Sequence, residues 1–207
     1  MRDTTKHRLF NYLDISLVRN GLTSITIEKI SRDLKMSKKT IYSEYSNREE
    51  LIRDYLFSYL NPRYEELEII IESKKEAEDK LLSFLMIILT DILPKIIPSL
   101  HEIEMLFPAI WIDIETFRAK VIKNMIQIFR ELENDGLLNP LVPVEQFAYI
   151  FSAIIQSTVQ PKFIDQSHFA SNELIFSFIR IILEGGCHPK LHNKLEKIIT
   201  SIQDKEV

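Results

Sequence analysis

Apolar residues recur at helical spacing along almost the whole chain, and the breaks between them carry helix start and stop signals. Residues 5–20 place Leu9, Tyr12, Leu13, Ile15, Ser16 and Leu17 on one stripe, and Gly21 follows as a natural C′ stop. Thr26 reads as an N-cap for a helix whose inward side is Ile27, Ile30 and Leu34. Ser37 is a second N-cap, and it predicts a helix over 38–44 with Ile41 as its one buried anchor. Asn47 is a third, with Glu50 at N3 as in a capping box. The helix it opens carries Leu51, Ile52, Tyr55, Leu56 and Tyr59. Pro62 removes a backbone N–H, which predicts a kink, or a helix end near Leu60 with a restart over 63–72.

Further along, Ser73 and Glu76 form a capping-box pattern before an apolar helix containing Leu81, Leu82, Leu85, Ile88 and Leu89, ended by Pro94. Ser99 and Glu102 repeat that pattern and predict a short helix to Phe107, with 108–111 as a connector. A long helix over 113–135 stops at Gly136, and Pro143 opens one that reaches about 160, before Pro161. Helices over 171–186 and 190–202 complete the chain. The helices over 143–160 and 171–186 are apolar on more than one side, and such a helix needs a second partner. A symmetry mate forming an isologous four-helix interface supplies one. Phe147, Phe151, Ile154, Ile175, Phe178 and Ile182 are its candidate residues. With only 4 glycines and no internal repeat, the expected class is all-α.

The helix over 38–44 is too short and too polar to exist for core packing. Lys38, Lys39, Thr40, Tyr42 and Ser43 offer donors for phosphate oxygens and base edges. Its N-terminus adds free N–H groups and the positive end of a dipole. Two short helices joined by a tight turn have helix-turn-helix geometry. An ordinary helical hairpin with a solvated polar face has the same spacing, so the pattern alone leaves both readings open. Under the DNA reading, Lys38 and Tyr42 lie on the backbone, and Lys39, Thr40 and Ser43 lie nearer base edges. Thr26, Ser37 and Arg48, at helix starts, complete the DNA-facing candidates.

Asn20-Gly21-Leu22, Ile25-Thr26 to Ile30, Met36-Ser37-Lys38, Thr40-Ile41-Tyr42, Tyr45 and Asn47-Arg48-Glu49-Glu50-Leu51 together resemble the N-terminal domain of the tetracycline-repressor (TetR) family over residues 5–60. The resemblance implies a DNA-binding domain over 1–47 and a helical regulatory and dimerisation domain over 48–207, linked by the helix from 48. It implies a homodimer, an operator in double-stranded DNA and a small-molecule effector that releases it. Two positions depart from the family pattern. Lys35 stands where a turn glycine is usual, and a positive φ there costs on the order of 1 kcal/mol. Lys39 stands where a glycine is also common and adds a cation on the DNA side. A protein of this fold answering to a protein partner, and a helical interaction protein without DNA binding, are the alternatives.

Charge supports the division. The chain carries a net −4, which by itself argues against nucleic acid. Residues 1–60, however, hold 11 Lys and Arg against 8 Asp and Glu, a net of +3, while the rest holds 15 against 22, a net of −7. Cys187 is the single cysteine, which fits a reducing cytoplasm. The polar first residues show no signal peptide, and the runs around 84–93 and 96–100 are too broken to span a bilayer.

No glycine-rich phosphate loop, nucleophile elbow or other catalytic constellation is present, so neither an enzyme nor a cofactor is expected. Cys187, His188 and His192 have a loose metal-ligand spacing, but His188 precedes Pro189 and reads as a cap, so no metal is expected. His101, Glu102 and Glu104 read as a solvated helix face more readily than as an acid–base group. Phe84, Phe107, Trp111, Phe117 and Phe151, with Phe129 nearby, are candidates for lining an effector pocket, although aromatics at helical spacing also serve as plain core. The long Ile, Leu and Phe runs predict a mainly apolar pocket and a hydrophobic or amphipathic effector.

Overall fold

A computed structural model describes residues 4–138, 141–158, 169 and 171–203. The described elements are α1 (Thr5–Asn20), α2 (Ile27–Asp33), α3 (Lys38–Tyr42), α4 (Arg48–Glu72), α5 (Ala77–Met86), a π-helical segment (Ile87–Ile92), α6 (Leu93–Leu106), α7 (Pro108–Asn134), α8 (Val144–Thr158), α9 (Ser171–Gly186) and α10 (Pro189–Gln203). The fold is all-α, with an isolated β-bridge between Leu138 and Cys187. No single described helix is long and apolar enough to cross a membrane.

Several boundaries differ from the sequence reading, each for a local reason. α4 runs through Pro62 without ending near Leu60. Ser73 does not cap α5; its hydroxyl donates to the Ile70 carbonyl at 2.7 Å, and Glu76 takes the N-cap with no side-chain bond. Pro94 does not stop the chain from continuing as helix. The wider π register brings the Leu93 N–H to the Ile88 carbonyl and leaves Pro94 in the first turn of α6, where a missing N–H costs little. Ser99 lies buried inside α6 rather than at a start. Residues 108–111 form the first turn of α7, with Pro108 at the favoured N1 position. α3 stops at Tyr42, and Ile15 faces solvent. The expected end of α8 at 160, before Pro161, lies outside the described residues.

The chain packs as two compact units. The first takes in Met1–Pro62 and Pro94–Glu115, so the early turns of α4, all but the first residue of α6 and the start of α7 pack with α1–α3. Its core joins Leu9, Leu13, Ile30, Ile41 and Leu51 to Ile103, Phe107, Ile110 and Ile114. Polar bonds pin its rim. The Tyr55 hydroxyl donates to Asp14 Oδ1 at 2.6 Å, and Lys95 pairs with the same carboxylate. Burial of Asp14 works against its charge, but the Lys95 and Tyr55 bonds outweigh that and hold it below the usual carboxylate range. Arg53 Nε meets Asp113 Oδ2 at 2.8 Å.

The second unit takes in Arg63–Leu93 and Thr116–Val207. Its centre is an aromatic cluster in which Phe129 meets Phe147 and Phe151 edge-on, with ring centroids 5.1 and 5.9 Å apart. The nearly buried Lys80 ammonium is matched by Glu131 Oε2 at 2.8 Å, as a buried charge requires. α10 is fastened to α5 by Glu78, whose buried carboxylate meets Lys194 and, at 3.4 Å, Lys190.

The Lys194 bond, helped by Lys190, lowers the Glu78 pKa below the ordinary glutamate value. The stability these pairs contribute is therefore fully present above that ordinary value and is lost as pH falls through the lower folded value. Urea unfolding of wild type and Glu78→Gln should show a clear deficit for the variant at pH 7 that narrows towards pH 3. A deficit constant over that range would assign Glu78 a packing role only.

Candidate nucleic-acid interface

The first unit builds a short two-helix corner from local bonds. Thr26 Oγ1 accepts from the Lys29 N–H at 3.1 Å and starts α2, which buries Ile27 and Ile30. The turn is closed by Lys35 at φ 49, the conformation for which glycine is usual. Two bonds hold it: Met36 N–H to the Ser31 carbonyl at 3.0 Å, and Ser31 Oγ to the Met36 carbonyl at 2.6 Å. From α1, Arg8 Nη2 donates to the Leu34 carbonyl at 2.8 Å and caps the end of α2. Ser37 Oγ then accepts from the Thr40 N–H at 3.0 Å and starts α3.

Ile41 is the one residue of α3 that is buried. Ser37, Lys38, Lys39, Tyr42 and Ser43 are exposed, and Thr40 is half-buried. Thr40 Oγ1 lies 2.8 Å from Ser37 Oγ, and Ser43 Oγ donates to the Thr40 carbonyl at 2.8 Å. The two lysines are not equivalent. Lys39 makes no ion pair among the described residues, whereas Lys38 Nζ lies 2.5 Å from Glu28 Oε1 on α2. That bond raises the Lys38 pKa and lowers that of Glu28. Nothing in the sequence pattern marks Glu28, because the pairing arises from the corner rather than from spacing within one helix.

Arg48 is turned inward and does not join the exposed set. Its guanidinium donates to the Leu22 carbonyl and sits 5.0 Å over the Phe107 ring. Burial lowers its pKa, against the pull of Glu102. Asn47 caps α4 as expected, Oδ1 accepting from the Glu50 N–H at 2.8 Å, but Glu50 reaches back to the Ser46 N–H at 2.7 Å, one residue earlier than a capping box would place it. Glu102, read from sequence as half of a capping box, instead holds the loop after α1. It accepts from the Leu22 N–H, from the Thr23 N–H at 3.3 Å and from Thr23 Oγ1 at 2.9 Å. Leu22 is thus gripped at both backbone groups, by Glu102 and Arg48.

The remaining candidates fall in different places. Phe107 belongs to the core of the first unit, and Trp111 is a half-buried residue of that unit. Phe84, Phe117 and Phe151 are buried in the second, where Phe117 meets Tyr64 edge-on at 5.8 Å. On α8 and α9, Phe147, Phe151 and Ile175 point into their own unit, while Ile154, Phe178 and Ile182 are half-buried. Among the described residues, the large apolar side chains those helices leave exposed are Tyr149, Ile150 and Ile181, at 62%, 47% and 69%. His192 Nε2 lies 2.9 Å from the Cys187 carbonyl oxygen, and burial pushes the Cys187 thiol up to about 12. Among the described residues no group of three His, Cys, Asp or Glu could hold a metal ion.

No protein-family model and no curated protein matches the chain. Solved structures do. A TetR-family transcriptional regulator from Marinobacter aquaeolei aligns with TM-score 0.72 at 16% identity, covering 96% of this chain and 98% of the other. SmeT, the repressor of a Stenotrophomonas maltophilia multidrug efflux pump, aligns with TM-score 0.68 at 13% identity, covering 91% and 93%. A Saccharomonospora viridis regulator in complex with choline aligns with TM-score 0.72 at 13% identity, covering 88% and 97%.

Proposed function

We propose that this chain, whose fold is that of TetR-family regulators, is a homodimeric DNA-binding transcriptional regulator, a repressor released from its operator by a small hydrophobic or amphipathic effector. The observation that carries the reading is α3. It buries Ile41 alone and turns Lys38, Lys39 and Tyr42 outward beside a helix N-terminus, a surface with little use in core packing and the right donors for a DNA backbone. Lys38 and Tyr42 take phosphates; Lys39, Thr40 and Ser43 lie nearer base edges. Tyr149 and Ile150 on α8 and Ile181 on α9 are large apolar side chains left exposed, which a second copy would cover. The fold has relatives that hold small molecules, choline in the case above and triclosan in a complex of SmeT. Release follows from linkage: an effector that binds better to the dimer with badly spaced heads shifts it off the operator.

Selection of bound fragments from random duplex DNA should enrich one site with two-fold symmetry, its half-sites about one helical turn apart. Affinity for it should fall steeply with salt. Hydrophobic compounds titrated into that complex should release DNA while changing Trp111 fluorescence. Absence of any salt-sensitive affinity would favour an interaction protein without DNA binding. Release only by highly polar metabolites would remove the hydrophobic effector, and release by nothing small would favour a protein partner.

A further inference from the structure

We infer that Glu28 is a built-in competitor for DNA phosphate: held by α2 beside the start of α3, it occupies Lys38 until a phosphate displaces it. The inference rests on the DNA-binding reading above. Whatever Lys38 touches comes within a few ångströms of Glu28, because Lys38 Nζ and Glu28 Oε1 are 2.5 Å apart. Both side chains are half-exposed or more, at 50% and 66%, so the pair is weak enough to be exchanged. Asp33, the other acidic residue of α2, is engaged elsewhere, with Arg32 Nε at 3.2 Å and the Tyr12 hydroxyl at 2.9 Å. Lys39 has no such partner among the described residues and is available to DNA throughout.

The exchange has a distinct signature. A free lysine that meets a phosphate releases one condensed counterion, which steepens the dependence of binding on salt. Lys38 leaving Glu28 for a phosphate uncovers a carboxylate that gathers cations in turn, so the contact adds little to that slope. Glu28 therefore holds down sequence-independent affinity while leaving base contacts alone.

The test uses the full-length protein, the selected operator and a shuffled duplex, each titrated at several salt concentrations. Glu28→Gln should tighten both duplexes alike, by about three- to tenfold at low salt, and steepen the salt slope by about one unit. In a Lys38→Ala background the same substitution should bring little gain. Equal gain with and without Lys38 would show plain charge repulsion and overturn the competitor role, as would wild-type binding that Glu28→Gln leaves unchanged. No salt-dependent binding by the wild type to either duplex would overturn the DNA reading itself, and the inference with it. Unaltered thermal unfolding of Glu28→Gln is expected, because the residue is exposed, and it separates these outcomes from misfolding.

Discussion

Ile181→Glu is expected to leave the protein monomeric and to weaken operator binding by roughly a hundredfold or more, the scale on which two linked binding events exceed one. Ile181 is 69% exposed on α9, and Tyr149 and Ile150 are large apolar side chains exposed on α8. In the proposed two-fold interface each substitution would occur twice, so the variant would bury two unpartnered carboxylates in place of two apolar side chains. The site is better for this test than Phe178, whose ring lies 5.3 Å from that of Phe151, so that a charge there would also damage the protomer. Sedimentation reads the oligomeric state, and fluorescence anisotropy reads the affinity. A wild type already monomeric at working concentration, or a variant that remains dimeric, would remove α8 and α9 from the interface.

The second large effect is expected at Glu102. Glu102→Ala removes the acceptor for the Leu22 and Thr23 N–H groups and for the Thr23 hydroxyl, and Leu22 is fully buried. A buried donor left without a partner, together with the loss of bonds to a charged acceptor, should cost about 2–3 kcal/mol of stability in the first unit. Operator affinity should fall as well, since the loop leads directly into Thr26 and α2. Glu102→Gln, which still presents an acceptor oxygen, should recover part of both. Gly21→Ala offers a cross-check: its φ is +69, and a Cβ there would stand 3.0 Å from Glu102 Oε1. The alanine should therefore be less harmful when Glu102 is already alanine, leaving the backbone strain of about 1 kcal/mol. Full stability in Glu102→Ala would mean that solvent replaces the grip without loss.

The helix starts at Thr26, Ser37 and Asn47 were legible because capping is a contact between residues three apart. The stops at Gly21 and Gly136 were legible because a positive φ leaves a glycine in the sequence. Ser73 and Ser99 show the limit of that logic. Each has the right residue three positions later, but Ser73 bonds backward to Ile70, and Ser99 is absorbed into a longer apolar helix. Pro94 misled for a related reason, since a π segment can shift the register and move a proline from helix interior to first turn. In the candidate site, spacing identified the outward lysines but not their partners. Arg48 reads as a DNA-facing residue at a helix start, and its contacts with the Leu22 carbonyl and the Phe107 ring come from residues far away in sequence. Glu28 and Glu102 were invisible for the same reason: their roles belong to the tertiary corner and the α6 contact, and no local pattern encodes either.

The first unit is discontinuous in sequence, and this bears on how the molecule assembles during synthesis. Its core needs Ile103, Phe107, Ile110 and Ile114, so α1–α3 cannot finish packing until the chain has been made out to about residue 115. Until then Leu22 lacks its Glu102 anchor, and the apolar positions that α6 and α7 cover face water. Long-range closure of this kind slows folding and lengthens the time that apolar surface is open to aggregation. A fragment ending at Pro62 would remain in that incomplete state, whereas one extended through Glu115 carries every element of the unit.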